Sequence, residues 1–316
     1  MTLTRLICFS KMKNISLYIV LILLIVPHGL FAQNDWKIRN DGYIRIQYHD
    51  YDVRLTNIVV SAILDNFNRI SKDIGYEGPP IANIVISGSQ REFDGFTGNI
   101  LPSWSQGSTD YDKSLIVLKS TSFSRSSKKE VVRTVTHELT HFLIGAVIDP
   151  GKVPRWVNEG LATYLSGEET FRAKIILSQA MFTKSLIELN DVQEVLTFDG
   201  NKANLAYAES RAAIAFLKET EGREVLKLIF ENINLNNSFG AAFIEVTGID
   251  LLDFEIDLRR NLKDNYRYYY LAAVNDYIWF LIPVLLILAY LTVKYKNWGI
   301  LRKWEAERED ENGAIG

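Results

Sequence analysis

The run Val131-Val132-Arg133-Thr134-Val135-Thr136-His137-Glu138-Leu139-Thr140-His141-Phe142-Leu143 constrains this chain more than any other stretch. Wound at about 100° per residue, Val131, Val135, Leu139, Phe142 and Leu143 share one apolar sector, which predicts a helix with that face against a core. His137 and His141 are one turn apart and stack on a neighbouring sector. Glu138 lies between the histidines and the apolar stripe. Two imidazoles aimed at one point, with a carboxylate beside it, make the H-E-x-x-H arrangement. A zinc ion takes neutral imidazole nitrogens, and a catalytic zinc holds three protein ligands while leaving its fourth position to water. Glu138 is too near along the helix to join the same coordination sphere, but it is well placed to accept a proton from that water. The chain has four histidines, and His28 lies in a segment expected to be removed, so two of the other three fall at this spacing.

The third ligand is sought downstream. The apolar pattern runs to about Ile144, and Gly145 with Asp149-Pro150-Gly151 is expected to end the helix. Pro154 suits the first turn of a second helix, over Arg155 to Leu165, closed near Gly167. Folded back against the first, this helix can set Glu159 opposite the histidines, with Gly160 letting the two helices approach closely. The alternative is that Glu159 is a solvated helix acid.

The residues His137-Glu138-Leu139-Thr140-His141, followed by Pro154-Arg155-Trp156-Val157-Asn158-Glu159-Gly160-Leu161-Ala162-Thr163-Tyr164, resemble the glutamate-zincins. These are thermolysin-like metallopeptidases of the MA clan with two His and one Glu on zinc. Within them the chain is most similar to the bacterial peptidase MA-like domains, whose second motif reads Trp-x-x-Glu-Gly-x-Ala. The resemblance implies one Zn2+ ion on His137, His141 and Glu159, with Glu138 as general base. It also implies peptidase activity on a peptide or protein substrate, which spacing alone does not show. The implied fold is α+β and zincin-like: a small mixed sheet-and-helix N-terminal lobe, an all-helical C-terminal lobe, and a cleft between them. No third histidine follows His141, so the metzincin pattern is absent.

Two further roles come from the same resemblance. Residues 115 to 118 correspond to an exposed sheet-edge strand to which a peptide can add, although an ordinary sheet strand is an equal reading. An amide-hydrolysing site also needs a donor aimed at the developing oxyanion. Asn204-Leu205-Ala206-Tyr207-Ala208-Glu209-Ser210 resembles the Ala-Tyr segment of the peptidase MA-like family, which nominates Tyr207, against a simple packing role. Tyr164 is a weaker candidate, and His49 stands in an N-terminal strand, an unfavourable place. Glu209 and Arg211 could touch substrate, but a helix-surface position is their default.

Both ends of the chain are hydrophobic. Arg5, Lys11 and Lys13 precede the apolar run Ile15 to Val26, followed by Pro27 and Gly29, which reads as a signal peptide over residues 1–32. Ala32 offers a cleavage site, although Leu30 stands where a small residue is expected. Cleaved there or kept as an anchor, the segment puts the next residues on the same side of a membrane. Cys8, the sole cysteine, lies within it, so the mature chain can form no disulfide and no thiolate metal site. Near the other end, Tyr277 to Val293 carries no charge over a length of about 25 Å as a helix, enough to span a bilayer core. Lys294, Lys296, Arg302 and Lys303 follow and favour a cytoplasmic C-terminus. The expected organisation is a signal peptide (1–32), a catalytic domain (33–265), one transmembrane helix (277–293) and a cytoplasmic tail (294–316), of which Glu305 to Glu311 reads as disordered. The catalytic domain then faces the periplasm or the exterior on a single-pass anchor.

Between these ends, strands are expected over 42–49, 82–87 and 114–119, a helix over 54–73 and a loop over 96–112. Helices are expected near 169–182, 187–195, 204–220, 222–231, 237–246 and 250–262. The net charge of −3 and the lack of a basic cluster or Gly-rich phosphate loop give no nucleic-acid footprint. The sequence alone also admits a zincin-like module that binds zinc and a partner without catalysis. Against that reading, a pure binding site has no use for the Glu138 carboxylate beside the metal.

Overall fold

The computed structural model describes residues 36–167, 171–235 and 238–313. The signal segment expected over 1–32 lies outside the described residues. The N-terminal half alternates strands and helices: β1 (Trp36–Asp41), β2 (Ile44–His49), α1 (Val53–Ile74), β3 (Ala82–Ser87), α2 (Gln90–Thr97), β4 (Gly107–Asp110), β5 (Leu115–Lys119) and a short α3 (Thr121–Ser124). The sheet order is β1-β2-β3-β5-β4, with β2, β3 and β5 parallel and β4 antiparallel to β5. Alternate residues of the parallel strands (Ile44 and Ile46, Ile84 and Ile86, Ile116 and Leu118) are buried in the same core as Val59, Ile63, Phe67 and Ile70 of α1.

The expected edge strand is corrected here. Residues 115–118 lie in β5, which has neighbours on both sides, and the edge strand beside it is β4, from within the predicted loop. Gly107-Ser108-Thr109-Asp110 has no apolar alternation to betray a strand; backbone pairing with β5, Ser108 opposite Val117, makes it one.

The H-E-x-x-H run sits on α4 (Lys128–Val147), started by a capping box in which Ser127 Oγ accepts from Glu130 N–H and Glu130 accepts from Ser127 N–H. Gly145 does not end this helix. A side chain there would meet the Tyr111 ring at 2.5 Å, so the glycine makes room for a tyrosine while α4 continues. The second motif forms α5 (Arg155–Ser166), which Gly167 ends with φ of +74°. Next come α6 (Phe171–Thr183), a 3-10 stretch (Leu189–Thr197), α7 (Gly200–Thr220), α8 (Val225–Asn234), α9 (Phe239–Thr247) and α10 (Leu251–Tyr266). Gly160 also differs from expectation: its bare face meets Ser210 on α7, at 2.4 Å from the carbonyl oxygen for an added Cβ, and not the zinc-motif helix.

The expected two lobes share one continuous core, because α4 and α5 carry apolar faces into both, and from Ile38 onward the chain forms one compact unit. The final helix α11 (Tyr269–Gly313) is longer at both ends than the predicted span. Leu281–Glu305 is long and apolar enough to cross a membrane, and none of that window is buried. The stretch from Glu305 read as disordered is helical to Gly313, in keeping with its Ala, Glu and Arg content.

Candidate metal centre

His137 and His141 project from α4 and Glu159 from α5, the two helices packing directly against each other. Their Nε2 atoms are 3.0 Å apart, and Glu159 Oε2 lies 3.6 Å from His137 Nε2 and 3.5 Å from His141 Nε2. Zinc bonds of about 2.0–2.1 Å at tetrahedral angles place donor atoms about 3.3 Å apart, so this triangle fits one such ion. The donor chemistry fits as well, two imidazoles and a carboxylate. Among the described residues this is the one group of three or more His, Cys, Asp or Glu drawn together in this way.

The surroundings fix how each donor is presented. His141 Nδ1 lies 2.7 Å from Asn158 Oδ1. A carbonyl oxygen only accepts, so Nδ1 carries the hydrogen and Nε2 keeps its lone pair for the metal position. The Asn158 amide is turned that way because its Nδ2 donates to the Tyr111 hydroxyl at 2.9 Å. Burial pushes the Tyr111 phenol well above its ordinary range, with the Glu159 and Glu138 carboxylates adding to the effect, so this hydroxyl stays protonated. On the other ligand, Arg155 Nε stands 3.3 Å from Glu159 Oε1, leaving Oε2 to face the histidines. Burial alone would raise the Glu159 carboxyl, but its position against His141 and His137 outweighs burial and shifts the group below the usual carboxylate range.

Glu138 is buried beside the triangle, and its Oε2 accepts from Thr109 Oγ1 at 2.8 Å. All four residues line an open cleft of about 670 Å³. Its lining includes β4 and Tyr111, Leu196 and Tyr207, and Ile100, Leu101 and Trp104 from the loop before β4. The Trp104 and Tyr207 rings meet edge to face at 6.4 Å. Ser103, next to Trp104, is held by Lys119 Nζ at 2.9 Å from its carbonyl oxygen.

The structure thus brings His137, Glu138, His141, Glu159 and Tyr207 to one cleft. It does not bring the other candidates there. Tyr164 lies beneath Arg211 and Lys218, and His49 bonds Glu92 at 2.9 Å. Glu209 is buried and accepts from Ile187 N–H. Sequence reasoning missed Thr109, Tyr111, Arg155 and Asn158. Asn158 and Arg155 had a usable signal, lying one residue and one helical turn before Glu159. Thr109 and Tyr111 had none, because both come from a stretch without periodicity.

A family profile for the Peptidase MA superfamily matches residues 65–264, more than half of the chain. The chain belongs to that superfamily. The matched region contains the whole His/His/Glu cluster, Glu138 and Tyr207, and it ends before the long apolar helix. No curated protein matches the chain significantly.

Proposed function

We propose that this protein is a membrane-anchored zinc metallopeptidase of the glutamate-zincin type, built on a zincin-like fold. The observation that carries the reading is the triangle of two imidazole nitrogens and one carboxylate oxygen, 3.0 to 3.6 Å on a side, with a second carboxylate beside it in an open cleft. His137, His141 and Glu159 would hold the ion. Bound there, zinc supplies Lewis acidity and lowers the pKa of its water toward about 7.

The chain's own groups do the rest. Glu138 takes the proton of the attacking water and passes it to the leaving amine. Tyr207 donates a hydrogen bond to the oxyanion of the tetrahedral intermediate. The free edge of β4 receives the substrate backbone as an added strand. The apolar run from Tyr277 to Val293 anchors the domain, which faces away from the cytoplasm, with Lys294, Lys296, Arg302 and Lys303 after it on the inside.

The full chain, purified in detergent and supplied with zinc, is expected to hold one equivalent and to cleave a mixed peptide library in a chelator-sensitive way. Glu138→Gln is expected to keep the zinc and to lose about 10²- to 10⁴-fold in turnover. Undiminished turnover by that variant removes Glu138 from its role. Zinc and peptide binding without any cleavage by the wild type would instead favour the non-catalytic binding module.

A further inference from the structure

A helix fixes where Glu138 starts, not where its carboxylate ends, because three side-chain torsions lie between, and holding them costs rotamer freedom. The edge strand β4 supplies what α4 lacks. Thr109 Oγ1 stands 2.8 Å from Glu138 Oε2 and 3.0 Å from the Glu138 backbone oxygen. Both partners are acceptors, so the single hydroxyl hydrogen is shared between them, and the hydroxyl is tied to this residue of α4 alone. Two residues back on the same strand face stands Gly107. A Cβ built there would lie 2.8 Å from Glu138 Cγ, 2.9 Å from its Oε1 and 2.9 Å from Thr134 Cγ2. The strand therefore shows α4 one residue with a hydroxyl and one with no side chain. The first holds one carboxylate oxygen, and the second leaves space for the other. His137, His141 and Glu159 make neither contact, so this device is separable from metal binding.

We infer that β4 is the seat of the base: Thr109 is a positioning residue for the Glu138 carboxylate, and Gly107 is the space that carboxylate occupies. The inference rests on the reading of Glu138 as general base. It gives one short strand two tasks, since the strand proposed to pair with substrate also aims the group that deprotonates the attacking water. A base held by the substrate-binding element stays in register with the scissile bond, and misplacement by about 1 Å can cost on the order of 100-fold in rate.

The test uses the full chain in detergent. Thr109→Val fills the same volume without the hydroxyl, and Thr109→Ser keeps the hydroxyl without the methyl group. Thr109→Val is expected to lower kcat about 10- to 100-fold, with KM and zinc affinity (by chelator competition) at wild-type values, and Thr109→Ser is expected to restore kcat. Gly107→Ala is expected to lose kcat in the same range while keeping its zinc. Crystal structures of wild type and Thr109→Val are expected to differ in the Glu138 rotamer. Wild-type kcat in Thr109→Val overturns the inference, as does a Thr109→Ser variant no better than Thr109→Val, or loss of zinc in step with kcat. Should the wild type hydrolyse nothing, the proposed function fails by itself. The two crystal structures still decide the positioning claim, and an unmoved Glu138 in Thr109→Val overturns it.

Discussion

At the scale of single residues, His141 can offer Nε2 to a cation because Asn158 takes the hydrogen on its other nitrogen, and Asn158 is steadied by Tyr111. Groups behind a metal ligand set its tautomer and orientation. Asn158→Leu is therefore expected to weaken zinc binding about 10- to 100-fold, read by competition with a calibrated chelator, with the helical content unchanged. Glu209 illustrates a residue whose meaning was hidden by its type. A helix glutamate defaults to the surface, yet this one is buried and accepts from Ile187 N–H through both oxygens. Burial pushes its carboxyl up to about 8, the Ile187 hydrogen bond and Arg259 only partly opposing. The unfolded chain releases that proton near 4.5, so between these values the native state binds more protons and stability falls as pH rises. Glu209→Gln keeps an acceptor for Ile187 and cannot ionise. Relative to wild type it is expected to gain on the order of 2 kcal/mol between about pH 5 and about pH 9, read by denaturant unfolding. A constant difference across that range would count against the buried carboxyl as its source.

At the scale of elements, α5 is the hinge of the arrangement. It faces α4 with Glu159 and α7 with Gly160, and the next residue along decides how deep it sits. A Cβ at Gly160 would lie 2.4 Å from the Ser210 oxygen and 2.7 Å from its carbonyl carbon, both backbone atoms that cannot swing aside. Gly160→Ala is expected to cost about 1–3 kcal/mol by forcing the helices apart. Because Glu159 rides on the same turn, zinc affinity should fall with it, and calorimetry paired with metal titration reads both. The helices of the two motifs were legible because their apolar spacing, the starting Pro154 and the closing Gly167 all act locally. The strand β4 was not, since Gly107 to Asp110 gains its geometry from β5 and from nothing in its own side-chain pattern. The partner of Gly160 was equally hidden, because a glycine announces a close approach without saying to what.

At the scale of the whole molecule, the helix Tyr269–Gly313 continues from the folded unit through the segment able to span a bilayer. Truncation before Tyr277 is expected to move the protein from the membrane to the soluble fraction with its zinc retained, as fractionation and metal analysis would show; membrane retention would point to another anchor. The sequence by itself determined the pairing of His137 with His141 and the apolar helix. Both reside in residue type at fixed local spacing: His137 and His141 share a helix face in any fold, and an uncharged run is apolar wherever it lies. Only the tertiary structure decided which carboxylate oxygen faces the histidines, which strand forms the sheet edge, and which hydroxyl and amide hold Glu138 and His141. Those contacts join Thr109 to Glu138, 29 residues apart, and Tyr111 to Asn158, 47 apart. Over such distances no local periodicity survives, and burial against a shared core selects the pairing.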